Sequence, residues 1–429
     1  MTDSPVKLRN VLVIAYYFPP MGLSGVQRTL KFVKYLPQFG WQPTVLTVTP
    51  TGYYAHDYTL LEELHPHHVE IERVGSLDPN RLFRKKGVVK MPSEMWRKIF
   101  SFLSDCFFIP DNKIGWKRQA LKKADELFVK KNFDVIFATA PPFTDFIIGT
   151  ELHKKYNKPL VIDYRDPWHD YPYKSYPTPF HKLFNYKLEK KALKASSRIL
   201  VTNRRTKELI LKRYKFLDYS DVTILSHGYD PADFTTDPKI HIDKSNRMRI
   251  AHAGVFYADR TPKYMFEAMR NLFQLKPELK NQIELFLIGT LQDEFMKMIH
   301  KYGLEGNVVT TGYLDHAHCI HHLKAADVLW LTLNNDTQSP GKLYEYLGLM
   351  KPVLGCLPDG FVSQTLKEAG GALIVPPNDV DKIQTALSQL FEMYKSKNLA
   401  TPQKDIVDRY NRIDLTNELS KIFGFLVNE

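Results

Sequence analysis

The stretch SPGKLYEYLGLMKPVLG, residues 339–355, sets a cation and a carboxylate three positions apart at the start of a helix. Ser339 reads as the N-cap and Pro340 as the first helical position. Leu343, Leu347 and Met350, at i, i+4 and i+7, make the buried stripe. Lys342 and Glu345 then share another face near the helix mouth, where free N–H groups and a positive dipole end suit a phosphate. With Arg260 ahead of an earlier helix, the segment Pro340, Gly341, Lys342 and Leu343 can neutralise a diphosphate without a divalent ion. Glu345, an acceptor-only group, can take both hydroxyls of a ribose.

Other loops carry chemistry as well. Gly22, Ser24 and Gly25 open a helix after the first apolar run, and small residues let a ligand approach the backbone. Gly254 and Gly289 stand at the ends of two later runs as close-approach turns. Asp163, Arg165, Asp166, Trp168 and His169 gather after another run, followed by Tyr171, Tyr173 and Tyr176. Carboxylate, guanidinium and aromatic rings suit a polyhydroxylated acceptor, bound by Arg165, Asp166, Trp168, His169 and Tyr173. The competing reading is a structural ion pair with loop-filling tyrosines. His318 and His322, with Cys319 between, have metal-like spacing but lack further ligands, so Asp315 is better read as a helix cap and no metal is expected. Asp379 in NDVD, residues 378–381, is likewise expected to cap a helix.

These residues need strand ends to hold them. Short apolar runs at 11–18, 44–49, 69–74, 134–140, 159–165, 198–203 and 222–228 alternate with helical spacing, which indicates buried parallel strands. The pattern restarts at 248–255, 283–289, 308–314, 327–333, 352–357 and 372–377. Two domains follow, 1–228 and 229–405, with the polar segment 228–247 as linker. The expected class is α/β, two facing Rossmann-like domains with an interdomain cleft. An amphipathic pattern over 406–429 is free to return to the first domain.

The chain has 429 residues and a net charge of +12, which favours an anionic partner. Residues 81–131 hold fourteen basic and five acidic side chains, so nine of the twelve excess charges fall there. Within that span lies MWRKIFSFLSDCFFIP, a dense aromatic stripe beside Arg97 and Lys98. That pattern fits an anionic membrane surface, or else a core helix with a solvated face. Cys106, Cys319 and Cys356 form no CxxC pair, as expected in a reducing compartment. No run nears the ~20 apolar residues of a membrane span. A cytoplasmic protein, peripheral on the inner face of the membrane, is the expectation.

Taken in order, YYFPPMGLSGVQRTLKFVKYLPQFGWQPTVLT, ATAPPFTDF, FFIPDNKIGW, DYRDPW, SHGYDPADF, AGVFYADRTPKYMFEAM, FLIG and SPGKLYEYLGLMKPVLG resemble the retaining glycosyltransferases of family 4, which have the GT-B fold. The likeness is strongest to a bacterial surface-polysaccharide branch. It implies transfer of a sugar from a nucleotide-diphosphate donor to a glycan or lipid-linked acceptor, with no cofactor, no metal and no nucleic acid. Glu345 matches the second Glu of the family's Glu-x7-Glu motif, which binds the donor ribose, while Thr337 replaces the first. Arg260 matches one of the family's basic pair, the other position falls at Val255, and Lys342 supplies charge in its place. Gly22, Ser24 and Gly25 match the loop facing the donor phosphates, and Asp166 lies where relatives keep a His or Asp near the acceptor. The resemblance thus implies catalytic parts for Arg260, Lys342 and Asp166. A catalytically impaired scaffold and a GT-B epimerase are the alternatives. A nicotinamide dehydrogenase is disfavoured, since neither domain has GxGxxG with a properly spaced acid.

Overall fold

The computed structural model describes residues 8–22, 24–53, 55–67, 69–79, 94–171, 174–235, 242, 246–256, 260–336 and 339–428, with Glu94 and Met95 by backbone alone. Two compact units emerge: Met1–Ser226 with Arg412–Glu429, and His227–Asn411.

In the first unit the strands are β1 (Arg9–Ile14), β2 (Trp41–Val48), β3 (Glu70–Val74), β4 (Val135–Ala140), β5 (Leu160–Tyr164), β6 (Arg198–Val201) and β7 (Val222–Ile224). They form one parallel sheet in the order β3-β2-β1-β4-β5-β6-β7. Its helices are α1 (Ser24–Tyr35), α2 (Thr59–Glu62), α3 (Glu94–Phe107), α4 (Lys117–Lys130), α5 (Thr144–Tyr156), α6 (Pro179–Ala195) and α7 (Arg204–Arg213). Val11 to Ile14 and Leu160 to Ile162 are wholly buried, because helix-covered parallel strands meet no water on either face.

The second unit repeats this plan with β8 (Met248–Ala253), β9 (Ile283–Ile288), β10 (Val308–Thr310), β11 (Val328–Thr332), β12 (Val353–Cys356) and β13 (Ala372–Val375). The parallel order is β10-β9-β8-β11-β12-β13. Its helices are α8 (Lys263–Leu275), α9 (Asp293–Lys301), α10 (His316–Lys324), α11 (Gly341–Gly348), α12 (Phe361–Ala369), α13 (Val380–Lys395) and α14 (Lys404–Asp408). Crossing back, α15 (Arg412–Asn428) packs in the first unit, with Phe423 edge-on to Trp41 and Phe137 at 5.2 and 5.7 Å.

Several local expectations need correcting. The first strand stops at Ile14 instead of running to Phe18, because the Tyr16 N–H turns aside to donate to Asp145 Oδ2 at 2.9 Å. Ser339 does not cap α11: Pro340 holds the cap position in extended conformation, and the Ser339 hydroxyl pairs with the Tyr344 hydroxyl at 3.1 Å. Met350 lies past the end of α11 at φ 54°, so the buried stripe is Leu343 and Leu347 with Tyr344 and Tyr346. The expected linker begins folded, since Tyr229 and Asp230 are buried and Tyr229 stacks on Phe234 at 5.7 Å. Asp315 and Asp379 do cap their helices, each accepting an N–H at 3.0 Å, from His318 and Lys382.

Candidate active site

Where β8 and β9 end, two glycines make a floor. Gly254 has φ +134° and Gly289 φ +135°, conformations that side chains rarely adopt. Gly254 N–H donates to the Ile288 carbonyl at 2.6 Å, and Gly289 N–H to that of Gly312 at 2.9 Å. A Cβ on Gly289 would run into the Gly254 carbonyl oxygen, and one on Gly254 would overlap the Lys342 Nζ. The floor thus exists so that the Lys342 ammonium can lie on bare backbone.

Helix α11 is anchored to do this. Tyr346, fully buried, accepts the Ala253 N–H through its hydroxyl at 3.0 Å, tying the helix to the last residue of β8. Leu343 contributes a core side chain, and its N–H bonds the Pro340 carbonyl at 3.1 Å. Burial first, and then the Arg260 guanidinium, push Lys342 down to about 8, against the pull of Cys319 and Glu345. Two cations brought together in a poorly solvated place repel each other, and an anion beside them would relieve that repulsion.

His252, unremarked in the sequence, joins them. Its Nδ1 lies 2.9 Å from the Trp330 carbonyl oxygen, so it donates there and leaves Nε2 unprotonated. Burial, with Lys342 and Arg260 nearby, holds it down to about 3, so this imidazole stays neutral. The signal was a lone polar ring inside the apolar run before Gly254. Glu345 lies one turn beyond Lys342, with Oε1 3.3 Å from His316 Nε2. His316 Nδ1 lies 4.0 Å from Asp233 Oδ2. Neither partner was found from sequence, where the His-rich segment drew attention only as a metal pattern. Thr337 lies outside the described residues.

In the first unit the candidate acceptor residues separate by role. Arg165 donates to the carbonyls of Gly25, Pro141 and, at 3.3 Å, Ala140. Its guanidinium therefore holds the start of α1 against the end of β4, a framework part instead of a ligand contact. Asp163 is buried in an ion pair with Arg28 at 2.8 Å and accepts from Thr139 at the same distance. Trp168 is fully buried, stacked on Phe143 at 4.7 Å and bonded to Asn185 at 3.0 Å, so it belongs to the core and offers an acceptor no face. His169 is buried beside Tyr176 at 5.3 Å, and burial followed by the Arg213 charge pushes it down to about 4. Asp166 is partly exposed, and Tyr173 lies outside the described residues. Gly22 donates its N–H to the Ala55 carbonyl at 2.9 Å, and Ser24 is exposed at the first position of α1.

Two doubly wound parallel sheets, the second carrying a cationic glycine floor at its strand ends, define the GT-B class of fold. The chain belongs to the glycosyltransferases of the family-4 type: the model "Glycosyltransferase Family 4" matches residues 24–233, and "Glycosyl transferases group 1" matches 233–404. No curated protein matches it in sequence. Among solved structures it is similar to Anabaena Alr3699/HepE in complex with UDP and glucose, at 13% identity and TM-score 0.64, over 97% of this chain and 99% of that one. Sucrose-phosphate synthase from Thermosynechococcus elongatus matches at 14% identity and TM-score 0.65, over 97% and 99%. A putative UDP-N-acetylglucosamine 2-epimerase from Listeria monocytogenes matches at 14% and 0.58, over 96% and 95%.

Proposed function

We propose that this glycosyltransferase moves a sugar, with retention at the anomeric carbon, from a nucleoside-diphosphate donor to a hydroxyl of a glycan or lipid-linked acceptor in cell-surface polysaccharide assembly. The observation that carries the reading is the buried Lys342 ammonium lying over Gly254 within the electrostatic reach of Arg260. As the bond from the anomeric carbon to the diphosphate oxygen breaks, charge grows on that oxygen, and these cations with the mouth of α11 stabilise it. The acceptor oxygen bonds the same carbon, and its proton passes to the departing phosphate. Glu345 receives the ribose hydroxyls. Fixed cations do the work of a metal here, so the reaction needs none. Asp166 is the acceptor-side residue of this reading.

Thermal unfolding with UDP, GDP, ADP and CMP, each with magnesium and with EDTA, tests the donor side. One nucleotide class should stabilise the protein equally in both, by about 2.7 kcal/mol at a hundredfold excess over its dissociation constant. Because the HepE structure holds UDP and glucose, UDP-glucose is the first donor to try. No stabilisation by any nucleotide overturns the reading. Likeness to the putative epimerase keeps a second reading open, in which the donor is rearranged without an acceptor. A new nucleotide sugar formed from donor alone would select it.

A further inference from the structure

Helix α3 turns its apolar face outward. Trp96, Ile99, Phe100, Leu103 and Phe107 recur at i, i+3, i+4, i+7 and i+11, and their exposures run from 42% to 78%. In a helix packed on its own core this row is the buried one. Trp96 and Phe100 instead stack on each other at 5.9 Å.

Helix α6 shows the same inversion, which its sequence did not announce. It buries Asn185, Glu189, Ala192 and Leu193 and exposes Phe180, Leu183, Phe184, Lys187, Lys191 and Lys194. These exposed positions again share one face, apolar in its first two turns and lysine in the rest. The Cys106 carbonyl, at the end of α3, accepts from His181 Nε2 at 3.1 Å, so Phe107 and Phe180 flank one junction. Joined apolar helix faces of this kind mark a partner.

We infer that the partner is an anionic lipid surface, on which α3 and the first half of α6 lie in the interface plane while the α6 lysines meet the headgroups. Charge selects this occupant. The only acid of α6, Glu189, is buried, and of the two acids of α3 Asp105 accepts the Ser175 N–H at 3.2 Å, so against Glu94 stand Arg97, Lys98, Lys182 and the three ridge lysines, which set the sign. A second copy docked face to face would oppose one lysine row to another. Among the described residues no helix is long and apolar enough to cross a membrane, so the contact is interfacial. The inference rests on the two helices and not on the transfer chemistry, and its failure leaves the nucleotide experiment untouched.

Trp96 supplies the test. The chain has five tryptophans, and Trp41, Trp116, Trp168 and Trp330 are at most 3% exposed, against 51% for Trp96. Mixed with vesicles of phosphatidylcholine and phosphatidylglycerol carrying brominated acyl chains, the full chain should sediment and lose Trp96 emission. Phosphatidylcholine alone should do neither. The triple variant Lys187→Gln, Lys191→Gln, Lys194→Gln should lower partitioning roughly a hundredfold. Phe180→Ser with Phe184→Ser should lower it at least about tenfold. Absence of sedimentation and quenching in the parent protein at low salt overturns the inference without any variant. So does a dimer in sedimentation equilibrium that Phe107→Ser dissociates, or lipid binding that the α6 variants leave unchanged.

Discussion

The Lys342 ammonium occupies the space that a side chain on residue 254 would need. Strand end and helix are therefore matched through a missing Cβ. Gly254→Ala is expected to displace the ammonium and also to strain a backbone at φ +134°. Nucleotide affinity should fall about as far as in Lys342→Ala, and the double variant should be little worse than either. Calorimetric titration of the four proteins reads the cycle, and simple additivity would sever the link.

Proton occupancy of Lys342 should control donor binding. Its position at about 8, below the ordinary 10.5, means that the unfolded chain holds more protons between those values. The group's contribution to stability therefore improves as pH rises through that window. Binding runs the opposite way, because the charge that meets the diphosphate is lost. Affinity should decline above pH 8, by up to about tenfold per pH unit, while Lys342→Ala stays flat. His252, held down to about 3, adds no titration there. Titrations from pH 6.5 to 9.5 decide it.

Glu345 and His316 should act as a pair. Removing the carboxylate in Glu345→Ala should weaken nucleotide binding roughly tenfold to a hundredfold, the range of a charged hydrogen bond. His316→Ala frees the carboxylate from the 3.3 Å contact and should cost less, with no further loss when both are changed. An undiminished affinity in folded Glu345→Ala would remove it from the donor site.

A buried acid elsewhere predicts an effect on stability alone. Glu189 accepts from Tyr214 at 2.8 Å and Tyr164 at 3.2 Å, yet burial pushes it up to about 7 from an ordinary 4.5. The native state holds the extra proton between those values, so this group's contribution to stability is full below 4.5 and is lost as pH rises through 7. Glu189→Gln should gain on the parent by about 3 kcal/mol between pH 4.5 and pH 8. Denaturant unfolding at the two pH values measures this, and equal differences at both would refute it.

Most of the thirteen strands among the described residues were legible as short Val, Ile and Leu runs, which parallel packing buries on both faces in the sheet interior, while the edge strands β3, β7, β10 and β13 are only partly covered. That Lys342 and Glu345 stand one turn apart on a single helix was legible through their spacing. Trp168 was misread because standing just after a strand end says nothing of which way a ring turns, and Phe143 drew it inward. Arg165 was misread for a related reason: its partners are backbone carbonyls, which leave no trace in residue identity. His316 and Tyr346 escaped notice because their partners, Glu345 and the Ala253 N–H, are brought to them only by the crossing of strands and helices.

The return of α15 carries a consequence for biogenesis. Phe423 fills the gap between Trp41 and Phe137, so the first unit lacks part of its interior until α15 has been made. Residues 227–411 are translated in the meantime, roughly ten to forty seconds at about 5–20 residues per second. Through that interval the nascent sheet keeps an apolar notch open, the kind of transiently exposed surface that invites aggregation.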